Sequence, residues 1–529
     1  MPRLPHGRMD ITPGALRNAR NVAAARAADN PLAFATAKPV DLRNFDYLFP
    51  ELQDDPDNLL PEARATRDSL VSLGEVMADD PGADENGDSN IPAAYTYFGQ
   101  FVDHDITFDT TSATIPDLIG DDLAPLSLER IREDIKNMRT ATFELDSVYG
   151  LSAPRDGAQM KLGKVTKLGG GAIPVLRPPG KADENDLPRE QPSVVAANDR
   201  AARIGDPRND ENTIIAQLHV AFLHAHNKLV HQEDNNFRKA KRILRQHYQH
   251  IVIHDFLKRI AEKQVVDDVI ENGNRIYDPD DEEFFMPLEF SVAAYRIGHS
   301  MVRAEYDFNL NFNTDSGFHA RIFPELFTFT ALSGQLGSFP TLPENWIIEW
   351  ENFFEREQSF NKARRINTKL VEPLEHLQDL VGNQEQGLGA KLAVRNLLRG
   401  YLLRMPTGQA VARTLQEKLN GVREIPVLTP EQIEEGAGSE EQVQVLRDAE
   451  FLERTPLWYY ILAEAAVLAN GQTLGPVGST IIAEVLVGLV RRSPNSILHQ
   501  RNWKPTLPSQ DQDAFTLPDL LRFAGVLAN

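Results

Sequence analysis

The run from Ala94 to Phe108, AYTYFGQFVDHDITF, narrows the folds open to this chain more than any other stretch of it. Tyr97, Phe98, Phe101, Val102 and Ile106 recur at helical spacing and predict a helix that is apolar over most of its surface. Four polar groups interrupt it. Gln100, Asp103 and His104 stand three and four residues apart and share one face, while Asp105 points about 100° further round. Burying an amide, an imidazole and two carboxylates is costly unless they are paired or used. A solvated polar edge is the plain alternative, and the aromatic flanks weigh against it. At 529 residues the chain is long enough to enclose such a helix in a large core.

Helical periodicity dominates elsewhere. Thr429-Pro430-Glu431-Gln432 reads as a capping box with proline at the first helical position. Thr455-Pro456 opens a helix with Trp458, Ile461, Leu462, Ala465 and Leu468 on one face. Long helices are expected from near Ile91, Asn212, Leu288, Lys391 and Ser479. Alternating strand patterns are few and short. The expected fold is mainly α with few short strands, one large domain over residues 46–529 behind a polar, Ala-rich and Pro-spotted arm at 1–45. Residues 79–90 and 277–283 read as acidic surface loops, and 165–195, rich in Gly and Pro, as an irregular excursion.

Composition removes several classes of function. The net charge of −22 argues against nucleic acid and against anionic lipid surfaces. No secretory signal is visible at the N-terminus, so a soluble protein, cytoplasmic or exported by another route, is expected. The apolar stretch Ile481–Val490 is broken by Glu484 and is too short to span a bilayer. The absence of cysteine excludes disulfides, thiolate nucleophiles and iron–sulfur clusters.

Three further segments carry chemistry. Residues 205–211, GDPRNDE, form a turn into a long helix with Arg208 and Glu211 three apart; a surface ion pair is the bland reading. Residues 291–303, SVAAYRIGHSMVR, set His299 beside Gly298, with Ala293 and Ala294 thinning the same element; a core histidine beside a packing glycine is the bland reading. In 140–150, TATFELDSVYG, the residues Thr140, Thr142, Glu144 and Asp146 alternate, and an extended loop would aim their hard oxygens one way, as calcium prefers. Here the bland reading is a polar strand edge. The histidines at 219, 224, 226, 231, 247, 250 and 254 suggest a metal cluster, but no carboxylate pattern completes one, and framework roles are expected.

Taken in order, GQFVDHD at 99–105, the 140–150 loop, GDPRNDE, the His299 segment and RNLLRG at 395–400 resemble the animal-type haem peroxidases of the peroxidase–cyclooxygenase superfamily, myeloperoxidase-like and of bacterial type. The resemblance spans residues 94–408. It implies a haem b held by His299 as proximal iron ligand, with Asn396 fixing the other ring nitrogen and Arg399 on a propionate. It implies His104 as acid–base catalyst, Arg208 as distal arginine and Gln100 at the distal water or halide. Asp103 and Glu211 would form ester links to the haem. Asp105, Thr140, Thr142, Glu144 and Asp146 would bind calcium, with Glu144 departing from the usual aspartate. Asn212 replaces the methionine of the myeloperoxidase sulfonium link, so no such bond is expected. The implied activity is reduction of hydrogen peroxide with oxidation of halide, thiocyanate or small phenolic donors.

Two other functions compete. A fatty-acid dioxygenase of the cyclooxygenase branch needs a tyrosine three residues before the proximal histidine; Arg296 stands there, and Tyr295 is one residue too early. A non-catalytic adhesion protein on the same scaffold would have no need of His104, Arg208 and His299, all of which are present.

Overall fold

In the computed structural model the described residues are 43–529, apart from 81–86, 109–119, 138, 141, 151–152, 169–182, 195–198, 279–283, 315–320, 323–325, 328, 331–335, 337–338, 378–386, 512–513 and 529. The proposed arm lies outside them up to residue 42. Residues 43–45 are not part of a free arm: Arg43–Asp46 is the central strand of a three-stranded sheet, antiparallel to Lys136–Asn137 and parallel to Met286–Pro287.

The fold is mainly α, as the periodicity predicts. Six helices organise the core: α1 (Ala94–Ile106), α2 (Thr213–Gln232), α3 (Phe237–His250), α4 (Leu392–Leu402), α5 (Leu457–Ala469) and α6 (Pro476–Arg492). α1 starts directly after the strand Asp88–Pro92, since proline disfavours helix in the residue before it. The Asn212 side chain caps α2 by accepting from Ile215 N at 3.0 Å. α3 runs on into a π-helical turn at Ile251–Phe256.

Aromatic packing locks α1 in place. Phe101 stacks on Phe222 of α2 with ring centroids 4.5 Å apart, and Tyr248 of α3 stands edge-on to Phe98 and Phe101 at 6.0 Å each. α1 also packs against the segment Ala294–His299, which α5 and α6 support from behind. The expected capping box at Thr429 and Gln432 is formed.

Two expectations need correction. No long helix starts near Leu288; residues Glu289–Ala293 form a π turn and Ala294–His299 a 3-10 helix. Tertiary bonds compete there for the polar groups: Glu289 accepts from Leu48 N and Phe49 N at 2.7 and 3.1 Å, and Arg296 Nε donates to Ser291 O at 2.9 Å. The acidic loop at 79–90 is not wholly solvated, because Asp79 is buried in an ion pair with Arg364. Glu484 interrupts the apolar helix as expected; it is buried and accepts from the backbone N–H groups of Arg275, Ile276 and Tyr277. No helix among the described residues is long and apolar enough to cross a membrane.

Candidate functional site

α1 presents its polar groups as the spacing predicts. Gln100 and Asp103 are half-buried, His104 is buried, and Asp105 is fully buried on a different side. His104 Nδ1 lies 2.8 Å from Asn209 Oδ1. A carbonyl oxygen only accepts, so Nδ1 carries the proton and Nε2 keeps its lone pair. Burial, reinforced by the Arg208 guanidinium, holds the imidazole pKa down to about 4, so the ring is neutral at pH 7.

The ion pair suggested by Arg208 and Glu211 does not form as such. Arg208 instead grips Asp206, with Nε 3.1 Å from Oδ1 and Nη2 2.8 Å from Oδ2. Its Nη2 also donates to Thr107 O at 2.6 Å, and its guanidinium lies 4.7 Å over the Phe108 ring. Asp206 is fully buried and also pairs with Arg139. Burial alone would raise its pKa; the two guanidiniums outweigh that and hold it below the usual carboxylate range. Glu211 turns to α1, where Gln100 Nε2 donates to its Oε2 at 2.9 Å and Asn212 Nδ2 donates to Gln100 Oε1 at 3.1 Å. Asp103 Oδ1 accepts from Thr107 Oγ1 at 2.7 Å.

His299 closes the 3-10 helix and keeps partial solvent access. Its Nδ1 lies 2.8 Å from Asn396 Nδ2, so α4 and the His299 segment meet as the family resemblance implies. Arg399 follows one turn later on α4, half-buried. A side-chain carbon added at Gly298 would meet no atom within 4 Å, which marks open space beside His299. Gln100, Asp103, Arg208, Arg296, His299 and Arg399 all keep solvent access on elements that are otherwise largely buried. Open space and half-exposed polar groups of this kind fit a flat, charged-edged group such as haem. Iron ligation by His299 Nε2 further requires the proton on Nδ1, and so requires Asn396 to present Oδ1; a half-turn of the amide supplies it.

The 140–146 segment is not extended throughout. Leu145 is left-handed with φ 54°, and Asp146–Tyr149 form a helical turn. Thr142 Oγ1 donates to Thr140 Oγ1 at 3.0 Å, and Thr140 Oγ1 to Asp146 Oδ2 at 3.1 Å. Asp105 accepts from Leu145 N at 3.2 Å and from Ser147 N at 3.4 Å. Burial, with the Asp146 carboxylate nearby, raises the Asp105 pKa well above the carboxylate range. Two buried carboxylates in mutual repulsion beside two hydroxyls fit a bound cation. Glu144 is drawn elsewhere: its Oε2 lies 2.6 Å from Arg245 Nη2.

Sequence reasoning missed Asn209, Asp206, Arg139 and Thr107, which hold the predicted residues in place. Asn209 and Asp206 adjoin Arg208 in GDPRND, but nothing in that run says which side chains they meet. Two of the other histidines bond within the framework: His226 Nδ1 meets Tyr149 OH at 2.8 Å, and His247 Nε2 accepts from Thr506 N at 2.9 Å. Among the described residues no cluster of three or more His, Asp or Glu groups is arranged for a metal.

Residues 126–323 match the family model described as animal haem peroxidase. A curated relative, a peroxidase-like protein of Margaritifera margaritifera, is 26% identical over 321 residues, covering 49% of this chain and 38% of the relative's length. Among solved structures, peroxidase A from Dictyostelium discoideum shares the fold with a TM-score of 0.54 at 15% identity, covering 92% of each chain. A fatty acid alpha-dioxygenase of Oryza sativa follows with a TM-score of 0.53 at 12% identity, covering 86% of this chain and 74% of the other. The stretch that is similar to animal haem peroxidases takes in Arg208, Glu211 and His299.

Proposed function

We propose that this chain is a haem peroxidase that reduces hydrogen peroxide to water and oxidises halide, thiocyanate or small phenolic donors. The observation that carries the reading is the placement of His104, buried with Nδ1 2.8 Å from Asn209 Oδ1, on a helix packed against the His299 segment.

When bound, haem b supplies the redox-active iron that passes oxidising equivalents from peroxide to the donor. His299 Nε2 would hold that iron, with Asn396 keeping the ring oriented and Arg399 on a propionate. Asp103 and Glu211 supply the carboxylates for ester links. His104 Nε2 takes the proton from one peroxide oxygen and returns it to the other as that oxygen leaves. Arg208 stabilises the negative charge developing on the leaving oxygen. Its pairing with Asp206 and Thr107 fixes the guanidinium beforehand, which spares reorganisation during the step. Gln100 holds the distal water or halide. Asp105, Asp146, Thr140 and Thr142 form the calcium set, with the carboxylate of Glu144 engaged by Arg245.

The fatty-acid oxygenase reading is disfavoured at Arg296, whose Nε is spent on Ser291 O at 2.9 Å and which offers no radical-forming phenol. The deciding experiment supplies haem to the purified protein and records the Soret band, then follows peroxide-dependent oxidation of a phenol, bromide and thiocyanate. A Soret band with turnover supports the reading. Haem binding without turnover of any donor, or no haem binding, rejects it.

A further inference from the structure

A single buried side chain joins two imidazoles. Asn209 lies on the 3-10 turn Pro207–Asp210 and is fully shielded from solvent. Its Oδ1 is 2.8 Å from His104 Nδ1, and its Nδ2 is 3.0 Å from His219 Nδ1. The two contacts have opposite polarity. The amide oxygen requires a proton on His104 Nδ1, and the amide nitrogen requires a lone pair on His219 Nδ1. His219 is itself fully buried in α2, with the Phe101 ring 6.2 Å away edge-on. A half-turn of the Asn209 amide would break both bonds unless both rings changed tautomer together.

We propose that Asn209, oriented in turn by His219, is a positioning residue that keeps His104 protonated at Nδ1 and leaves Nε2 as the acceptor of the peroxide proton. This rests on the reading of His104 as the acid–base group. In the step served, the peroxide O–H bond breaks as the Nε2–H bond forms, and the same proton then passes to the departing oxygen. With the opposite tautomer Nε2 already carries a proton and accepts none. A catalytic histidine held in the wrong tautomer loses up to about 10⁴-fold in rate.

The test uses the full haem-loaded chain. Asn209→Leu removes the acceptor, and His219→Phe keeps the ring but removes the lone pair that orients the amide. The imidazole ¹⁵N shifts of His104, read in the diamagnetic ferrous carbon monoxide complex, report which nitrogen carries the proton without any turnover. Asn209→Leu is expected to lose the Nδ1–H signature and to slow the reaction with peroxide on the order of 10²-fold, with haem content kept. His219→Phe is expected to show a mixture of both ring forms and a smaller loss. If Asn209→Leu fails to fold, His219→Phe decides alone. Unchanged ¹⁵N shifts and an unchanged peroxide rate in either folded variant overturn the proposal. His104→Ala separates the two readings. If it keeps the wild-type peroxide rate, the acid–base role of His104 is wrong, whatever the ¹⁵N shifts say of Asn209.

Discussion

The Tyr295 hydroxyl donates to the Gly99 carbonyl at 3.2 Å, tying the segment that ends in His299 to the helix that carries His104. The Tyr295 ring stacks on Phe290 at 4.8 Å, so the tie is held from both sides. Tyr295→Phe keeps the stack and loses the bond. It is expected to cost about 1 kcal/mol in urea unfolding while leaving peroxide-dependent phenol oxidation within a few-fold of wild type. Abolished oxidation in a folded, haem-replete Tyr295→Phe protein would instead give the phenol a direct part in chemistry and revive the oxygenase reading.

His299→Ala and His104→Ala are expected to fail differently. The first removes the proposed iron ligand, so the protein should lose most of its Soret absorbance after haem addition and gel filtration. The second should keep the haem and lose roughly 10²–10⁴-fold in the rate constant with peroxide. Equal haem retention in both variants would rule out His299 as the ligand.

Covalent attachment can be read by acid–organic extraction after brief peroxide treatment. Haem is expected to stay with the wild-type protein and to pass into the organic layer from the double variant Asp103→Asn, Glu211→Gln. Each single variant should retain one link. Haem that extracts freely from the peroxide-treated wild type would remove the ester assignment and leave the rest of the site untouched.

The buried pair Asp105 and Asp146 predicts a cation-dependent stability. Calcium should raise the melting temperature of wild type and a chelator should lower it, because the ion offsets the burial and the Asp146 charge that together disfavour an ionised Asp105. Asp105→Asn removes one of the two charges, so its melting temperature should respond little to either treatment. A full calcium response in Asp105→Asn would place the ion elsewhere.

Stability should peak in pH between two limbs. Burial raises the Glu464 pKa from 4.5 to about 8, despite hydrogen bonds from Val477 N and Gly478 N. The folded state therefore holds that proton more tightly than the unfolded chain, and the contribution, full below pH 4.5, is lost progressively as pH rises to about 8. Glu289, raised to about 7, adds to the same limb. Burial lowers His104, His226, His247 and His254 to about 4, so stability also falls as pH drops below 6.5. Glu464→Gln should flatten the fall between pH 6.5 and about 8 in thermal melts and steepen the rise between pH 4.5 and 6.5, where Glu464 opposes the histidines. An unaltered alkaline limb would mean that Glu464 stays ionised when folded.

Much of the site could be read from local order. The spacing of Gln100, Asp103 and His104 places them on one helical face, and a residue count sets Asp105 apart from them. The glycine before His299 stands in the same short run, whereas the asparagine at 396 is singled out only by the resemblance to a known family. What the sequence, read from its residues alone, left open was the pairing between distant segments. It offered Arg208 and Glu211 as neighbours three apart, but tertiary packing gives Arg208 to Asp206 and Glu211 to Gln100. It offered Glu144 within a polar loop, and gave no sign that Arg245, about a hundred residues later, pairs with it. It read a regular helix from Leu288, where Glu289 instead bonds to Leu48 and Phe49 and the helix widens and then tightens. Periodicity records which face is apolar, since burial of that face is a local tally. A charge or an amide chooses its partner by distance in three dimensions, and that distance exists only once the chain has folded.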